Sequence, residues 1–217
     1  MKTIRLNLLE ETRFEKIPVS IYKDESTASN VVAKKIAKLI SDNNAVNQKT
    51  VLGLATGATP IKFYKELIRL HKEEGLSFKN VITFNLDEYY PMKSHASQSY
   101  VAFMNDNLFN HIDIDRNNIH IPEGELAEGE IFDFCADYEK KITAYGGLDI
   151  QILGIGRTGH IGFNEPGSAP NSGTRLVSLN DITRRDASRD IGGKENVPTK
   201  AITLGVGTIF KTKHIVL

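Results

Sequence analysis

The 217-residue sequence has one cysteine, Cys135, which excludes an internal disulfide framework and suits a reducing cytoplasm. It has no excess charge of either sign. Its 27 Lys and Arg balance 27 Asp and Glu, so no general field draws it to nucleic acid or a membrane. An anion must therefore be held by a local arrangement. No apolar run approaches the roughly 20 residues that span a bilayer. The start MKTIRLNLLEETRFEK carries acids and lacks the apolar stretch of a signal peptide. Repeats, linkers and low-complexity blocks are missing, as is a helix-turn-helix segment for DNA readout. What remains is one ordinary globular domain over residues 1–217, long enough to bury a sizeable core.

The apolar pattern alternates strands with helices. STASNVVAKKIAKLIS (26–41) places Val32, Ile36, Leu39 and Ile40 on one helix face, with Ser26 or Thr27 as its cap. TVLGLA (50–55) reads as a buried strand ending in a turn. Thr59 and Pro60 open the next helix as N-cap and first residue, and Gly75 ends it. VITFN (81–85), IHI (119–121), DIQILGIG (149–156), AITLGVG (201–207) and HIVL (214–217) read as further strands, with helices near 99–109 and 128–145. Cys135 shares a helical face with Ile131, Phe134, Tyr138 and Ile142 and is expected in the core. Nearly all-apolar strands between helices predict an α/β fold: an open, Rossmann-like, mostly parallel sheet with helices on both faces. The run 214–217 stops without a turn or cap, so the domain is expected to be incomplete on its C-terminal side.

Four segments carry candidate chemistry. Thr56, Gly57, Ala58 and Thr59 form a strand-to-helix turn, where backbone N–H groups and the helix dipole can converge on a phosphate. A tight turn with no ligand fits that stretch equally well, and no Gly-Lys-Ser/Thr follows to make it a nucleotide loop. Asp87 and Glu88 follow the apolar strand VITFN, where open parallel sheets bind ligands; a solvated acidic pair is the alternative. Gly154, Gly156 and Gly159 match GxGxxG, but HIGFNEPGSAPNSG cannot open the helix that dinucleotide binding requires. His160 and Glu165 then read as acid–base groups on a glycine-rich loop. A metal held by Asp87, His160 and Glu165 matches no standard spacing. Arg175, Arg184, Arg185 and Arg189 can close over a phosphate or simply line a charged helix surface.

Taken together, TGATPIKFYKEL, VITFNLDEYY, QSYVAFMNDNLF, GIGRTGHIGFNEPGS and AITLGVGTI closely resemble the glucosamine-6-phosphate deaminase family in order and spacing. The resemblance covers roughly residues 50 to 217. It implies conversion of glucosamine 6-phosphate and water into fructose 6-phosphate and ammonia, an amino-sugar isomerase and hydrolase activity. It implies no metal or organic cofactor, a small-molecule partner, no membrane or nucleic acid, and compatibility with a homo-oligomer. Carried over by motif, Asp87 resembles the base that moves a proton between C2 and C1. His160 resembles the group that serves the ring oxygen, with Glu165 as its supporting carboxylate. Thr56–Thr59, Glu88 and Arg189 resemble substrate and phosphate contacts. Thr158 stands where many members carry Asp in GxxDGH, so ring opening must draw on a hydroxyl, on Glu165 or on a group elsewhere. A phosphate-contacting lysine is expected beyond Leu217, so the 217-residue piece alone is expected to be poorly active. Val177 replaces an allosteric lysine of some bacterial members. The rival readings are a 6-phosphogluconolactonase-like hydrolase and a sugar-phosphate sensor without catalysis.

Overall fold

A computed structural model describes residues 17–217, with the side chains of residues 189 and 190 outside the description. The N-terminal stretch read against a signal peptide lies within residues 1–16, outside the described residues. Helix α1 (Glu25–Ala45) is capped by Asp24, whose carboxylate accepts from the Thr27 N–H at 2.7 Å. Ser26 and Thr27 are thus inside the helix rather than at its cap, because Asp24 offers the stronger acceptor two residues earlier. Strand β1 (Thr50–Leu54) leads through the 55–60 turn into α2 (Ile61–Glu74). Pro60 holds the cap position there, and Thr59 makes no side-chain cap bond. Gly75 ends α2 in the left-handed region at φ 75°.

The main sheet is parallel, in the order β4-β2-β1-β5-β8. It comprises β1, β2 (Val81–Asn85), β4 (Ile119–His120), β5 (Ile150–Ile152) and β8 (His214–Val216). Every residue of β1, β2 and β5 is buried, which is why these strands read as mostly apolar runs broken only by Thr50, Thr83, Asn85 and Gln151. The chain steps from β1 outward to β2 and β4, then returns through α4 (Ile131–Ala144) to β5 on the other side of β1. That reversal opens a crevice at the carboxyl ends of the central strands, where α/β sheets place ligands. Cys135 is buried on α4, its thiol pushed up to about 11 by burial and then by Glu139.

A second sheet departs from the parallel expectation. Strands β3 (Asp87–Tyr90), β7 (Lys200–Thr203) and β6 (Arg175–Ser178) pair antiparallel in the order β3-β7-β6. The run AITLGVG is not one strand: β7 ends at Thr203, and α6 (Val206–Phe210) begins within it. Likewise only residues 150–152 of the 149–156 run are strand, and the remainder turns into the glycine loop. Helices α3 (Tyr100–Asn107) and α5 (Asp181–Ile191) complete the described elements that frame the crevice.

Candidate active site

Three strand ends converge on one cleft of ≈ 220 Å³. Ala55 and Thr56 come after β1, Leu86 and Asp87 after β2, and Gly154 and Gly156 after β5, with Tyr100, His160 and Phe163 closing it. Asp87 is 6% exposed, and its carboxyl is pushed up to about 8 by burial first and by neighbouring Glu88 second. Desolvation disfavours the charged form, which is the state a carboxylate base uses. Asp87 pairs across the small sheet with Thr203. The Thr203 hydroxyl accepts the Phe163 N–H at 3.1 Å, and Asn164 donates to the Leu204 carbonyl at 2.7 Å. One strand, β7, therefore holds both the aspartate and the loop that carries the histidine.

His160 is held by a run of hydrogen-bonded side chains on its own loop and on α5. Its Nδ1 lies 2.8 Å from the Thr158 hydroxyl, which donates to Glu165 Oε2 at 2.7 Å. Glu165 Oε1 is 3.5 Å from the same nitrogen and accepts from the Thr183 hydroxyl on α5. The ring packs so closely over Gly156 that a Cβ there would fall 2.1 Å from its Cε1. Only glycine lets the loop carry the imidazole in this position.

The phosphate-candidate turn lies beside this cleft. Gly57 has φ 100°, a conformation that side-chain-bearing residues rarely adopt. Thr56 lines the Asp87 cleft itself. Gly57 and Ala58 line an adjoining depression of ≈ 330 Å³ with Tyr100 and with Ala187 of α5. Thr59 faces a further pocket, toward Leu153 and Val216. Tyr100 belongs to both of the first two spaces, its hydroxyl held far above the ordinary phenol range by burial and by Tyr89 and Asp87. Neighbouring Thr56 acts the other way and lowers it.

Glu88, expected as a substrate contact, is engaged with backbone N–H groups in the structure. Its carboxylate accepts the N–H of Tyr89 at 2.8 Å, of Tyr100 at 2.8 Å and of Val101 at 3.3 Å. It thus caps α3 from below, together with Ser99. Burial raises it to about 7 against the lowering by these bonds. Arg175 is likewise engaged inside the loop, donating to Asn164 Oδ1 at 2.9 Å and Ser168 Oγ at 3.3 Å. Arg184 binds the carbonyls of Lys194 and Val197. The Arg189 side chain lies outside the described residues. Among the described residues no group of three or more His, Cys, Asp or Glu side chains is placed to hold a metal ion.

Nothing in the local sequence singles out Tyr100, Thr183 or Thr203. An aromatic at a helix start and threonines in a charged helix or an apolar strand carry no signal that separates them from core or surface residues.

The fold and cleft define an α/β protein whose Asp87 carboxyl and His160 imidazole face one cleft at the carboxyl ends of its parallel strands. The chain belongs to the glucosamine-6-phosphate isomerases/6-phosphogluconolactonase family, whose model matches residues 23–217. It is 50% identical over 186 residues to a glucosamine-6-phosphate deaminase of Clostridium botulinum strain Langeland, covering 86% of this chain and 75% of that protein. It is 47% identical over 206 residues to a glucosamine-6-phosphate deaminase-like protein of Bacteroides thetaiotaomicron. That match covers 95% of this chain but spans only 31% of the Bacteroides protein's length. A solved monomeric glucosamine-6-phosphate deaminase superposes with a TM-score of 0.87 at 42% identity, covering 92% of this chain and 80% of that one.

Proposed function

We propose that this protein is a glucosamine-6-phosphate deaminase, converting glucosamine 6-phosphate and water into fructose 6-phosphate and ammonia. The observation that carries the reading is Asp87: a buried carboxyl, raised to about 8, facing the same cleft as His160. Moving a proton between adjacent carbons needs such a base, sheltered from bulk water. Lactone hydrolysis, the other activity in the family's name, takes no proton from carbon.

In this reading the 55–60 turn receives the phosphate, with Arg189 as a further contact. His160 takes the proton of the anomeric hydroxyl and returns it to the ring oxygen as the C1–O5 bond breaks. Asp87 then removes the C2 proton of the open aldehyde and delivers it to C1, while one proton of the ammonium passes to O1, leaving a C=NH2+ group at C2 and a hydroxyl at C1. Water adds there and ammonia leaves. The substrate's ammonium lowers the Asp87 carboxyl on binding, since an opposite charge favours the ionised form. A neutral lactone supplies no such charge. No helix among the described residues is long and apolar enough to cross a membrane, and we take the reaction to be cytoplasmic.

The test incubates the full-length protein and its Asp87→Asn variant with glucosamine 6-phosphate, assaying ammonia and fructose 6-phosphate together. Equal release of both, abolished in the variant, is expected. Turnover of 6-phosphogluconolactone instead would make it a lactonase. Sugar-phosphate binding without product would make it a sensor.

A further inference from the structure

We infer that the Thr158 hydroxyl is a positioning residue that holds His160 as the tautomer protonated at Nδ1, leaving Nε2 bare toward the cleft, and that Thr183 braces it. The argument counts protons. The carboxylate of Glu165 offers only lone pairs, so each hydroxyl that touches it must donate. Thr158 gives its single proton to Oε2 at 2.7 Å. Its remaining capacity toward His160 Nδ1, at 2.8 Å, is to accept. That contact is a hydrogen bond only if Nδ1 carries the proton. The tautomer of a neutral imidazole is set by the bond its other nitrogen makes.

Thr183 explains why Glu165 itself does not take this place. Its hydroxyl donates to Oε1, the oxygen nearest the imidazole, and Oε1 stays 3.5 Å from Nδ1. That is longer than a hydrogen bond between ring nitrogen and carboxylate. Thr183 is buried, on α5, whose N-cap Asn180 accepts the Thr183 N–H at 2.8 Å. The helix start thereby fixes the hydroxyl, the hydroxyl fixes one carboxylate oxygen, and the other oxygen fixes Thr158. No partner for Nε2 is found among the described residues, and His160 lines the cleft. A bare Nε2 is the form that can accept the anomeric proton; the other tautomer would present a donor to a donor.

The inference deepens the deaminase reading through that ring-opening step, but its main measurement needs no turnover. The full chain is labelled with ¹⁵N at histidine, and the His160 ring is assigned by its loss in His160→Gln. Long-range ¹H–¹⁵N spectra without substrate then report which ring nitrogen is protonated. The expected result is Nδ1–H in the unaltered protein and in Thr158→Ser, and a mixture containing Nε2–H in Thr158→Val. Turnover of glucosamine 6-phosphate should fall roughly 10- to 100-fold in Thr158→Val and recover in Thr158→Ser, a smaller loss than removal of a general acid–base group. Nε2–H in the unaltered protein would overturn the inference. So would pure Nδ1–H in Thr158→Val, because Glu165 alone would then suffice. If Thr158→Val does not fold, the unaltered protein and Thr158→Ser still decide. Were the protein no deaminase, turnover would be absent throughout while the tautomer result stood.

Discussion

The two sides of the cleft are prepared for proton transfer by opposite means. Asp87 sits on the rigid side, at the start of β3, and no hydrogen bond to its carboxylate is found among the described residues; burial does most of the tuning. His160 sits on a glycine loop, partly accessible, and is fixed by a chain of hydroxyl and carboxylate groups. Where the scaffold is a buried strand, removing water is enough to shift a group by several units. Where the scaffold is a loop, orientation has to be supplied by named partners. Damage to the first side should therefore act on a proton affinity, and damage to the second on geometry.

The largest expected effect breaks the rigid side. Asp87→Asn should lower turnover about 10²- to 10⁴-fold, the range of a general base, while leaving sugar-phosphate binding by calorimetry within a few-fold. His160→Gln should cost on the order of 10²-fold, through a different step. Glucosamine 6-phosphate deuterated at C2 separates the two. An isotope effect on kcat that is full in Asp87→Glu and vanishes in His160→Gln would place carbon chemistry on one side and ring opening on the other. Equal isotope effects in both would erase the distinction.

The same asymmetry governs what could be read from the chain. The strands β1 and β2 announce themselves, because burial on both faces leaves mostly apolar residues such as Val51, Leu52, Ile82 and Phe84. Asp87 was legible for the same reason: a charge placed directly after such a run needs an explanation. The small antiparallel sheet was not legible. In β3 the residues Asp87, Glu88, Tyr89 and Tyr90 are all buried, yet half of them are acids, which reads as a turn. The run 201–207 hid a strand end and a helix start, because its apolar residues continue across both. The use of Glu88 as a cap for α3 depends on a contact 12 positions away, which no local pattern records. Likewise Thr183 meets Glu165 only because α5 folds back over the loop.

Burial of Asp87 also has a cost in stability. Its folded value of about 8 lies above the ordinary 3.8. Between those values the folded protein binds more protons than the unfolded chain, so its stability falls as pH rises through that window. Asp87→Asn, neutral throughout, should gain over the unaltered protein as pH increases from 4 to 8, by on the order of a few kcal/mol at the upper end. Denaturant midpoints at the two pH values measure it. A gap that does not widen with pH would mean that the burial of Asp87 is not what tunes it.

The smallest effect sharpens the comparison most, because it separates burial from neighbouring charge on the rigid side alone. Asp87 is raised first by desolvation and only second by Glu88, so Glu88→Gln should move it down by less than about one unit. The reaction needs Asp87 ionised, and kcat/KM reports the free protein. Its acid limb should therefore lie near pH 8 in the unaltered protein and at a lower pH in Glu88→Gln. The amide oxygen of Gln can still accept the N–H groups of Tyr100 and Val101, so α3 keeps most of its cap, while the contact to the Tyr89 N–H turns from acceptor to donor and is lost. That loss is a stability effect of about 1 kcal/mol, and it does not move a pH limb. A limb that stays in place would leave desolvation as the whole cause. A limb that moves by the full interval toward 3.8 would make Asp87, like His160, a group governed by its partner.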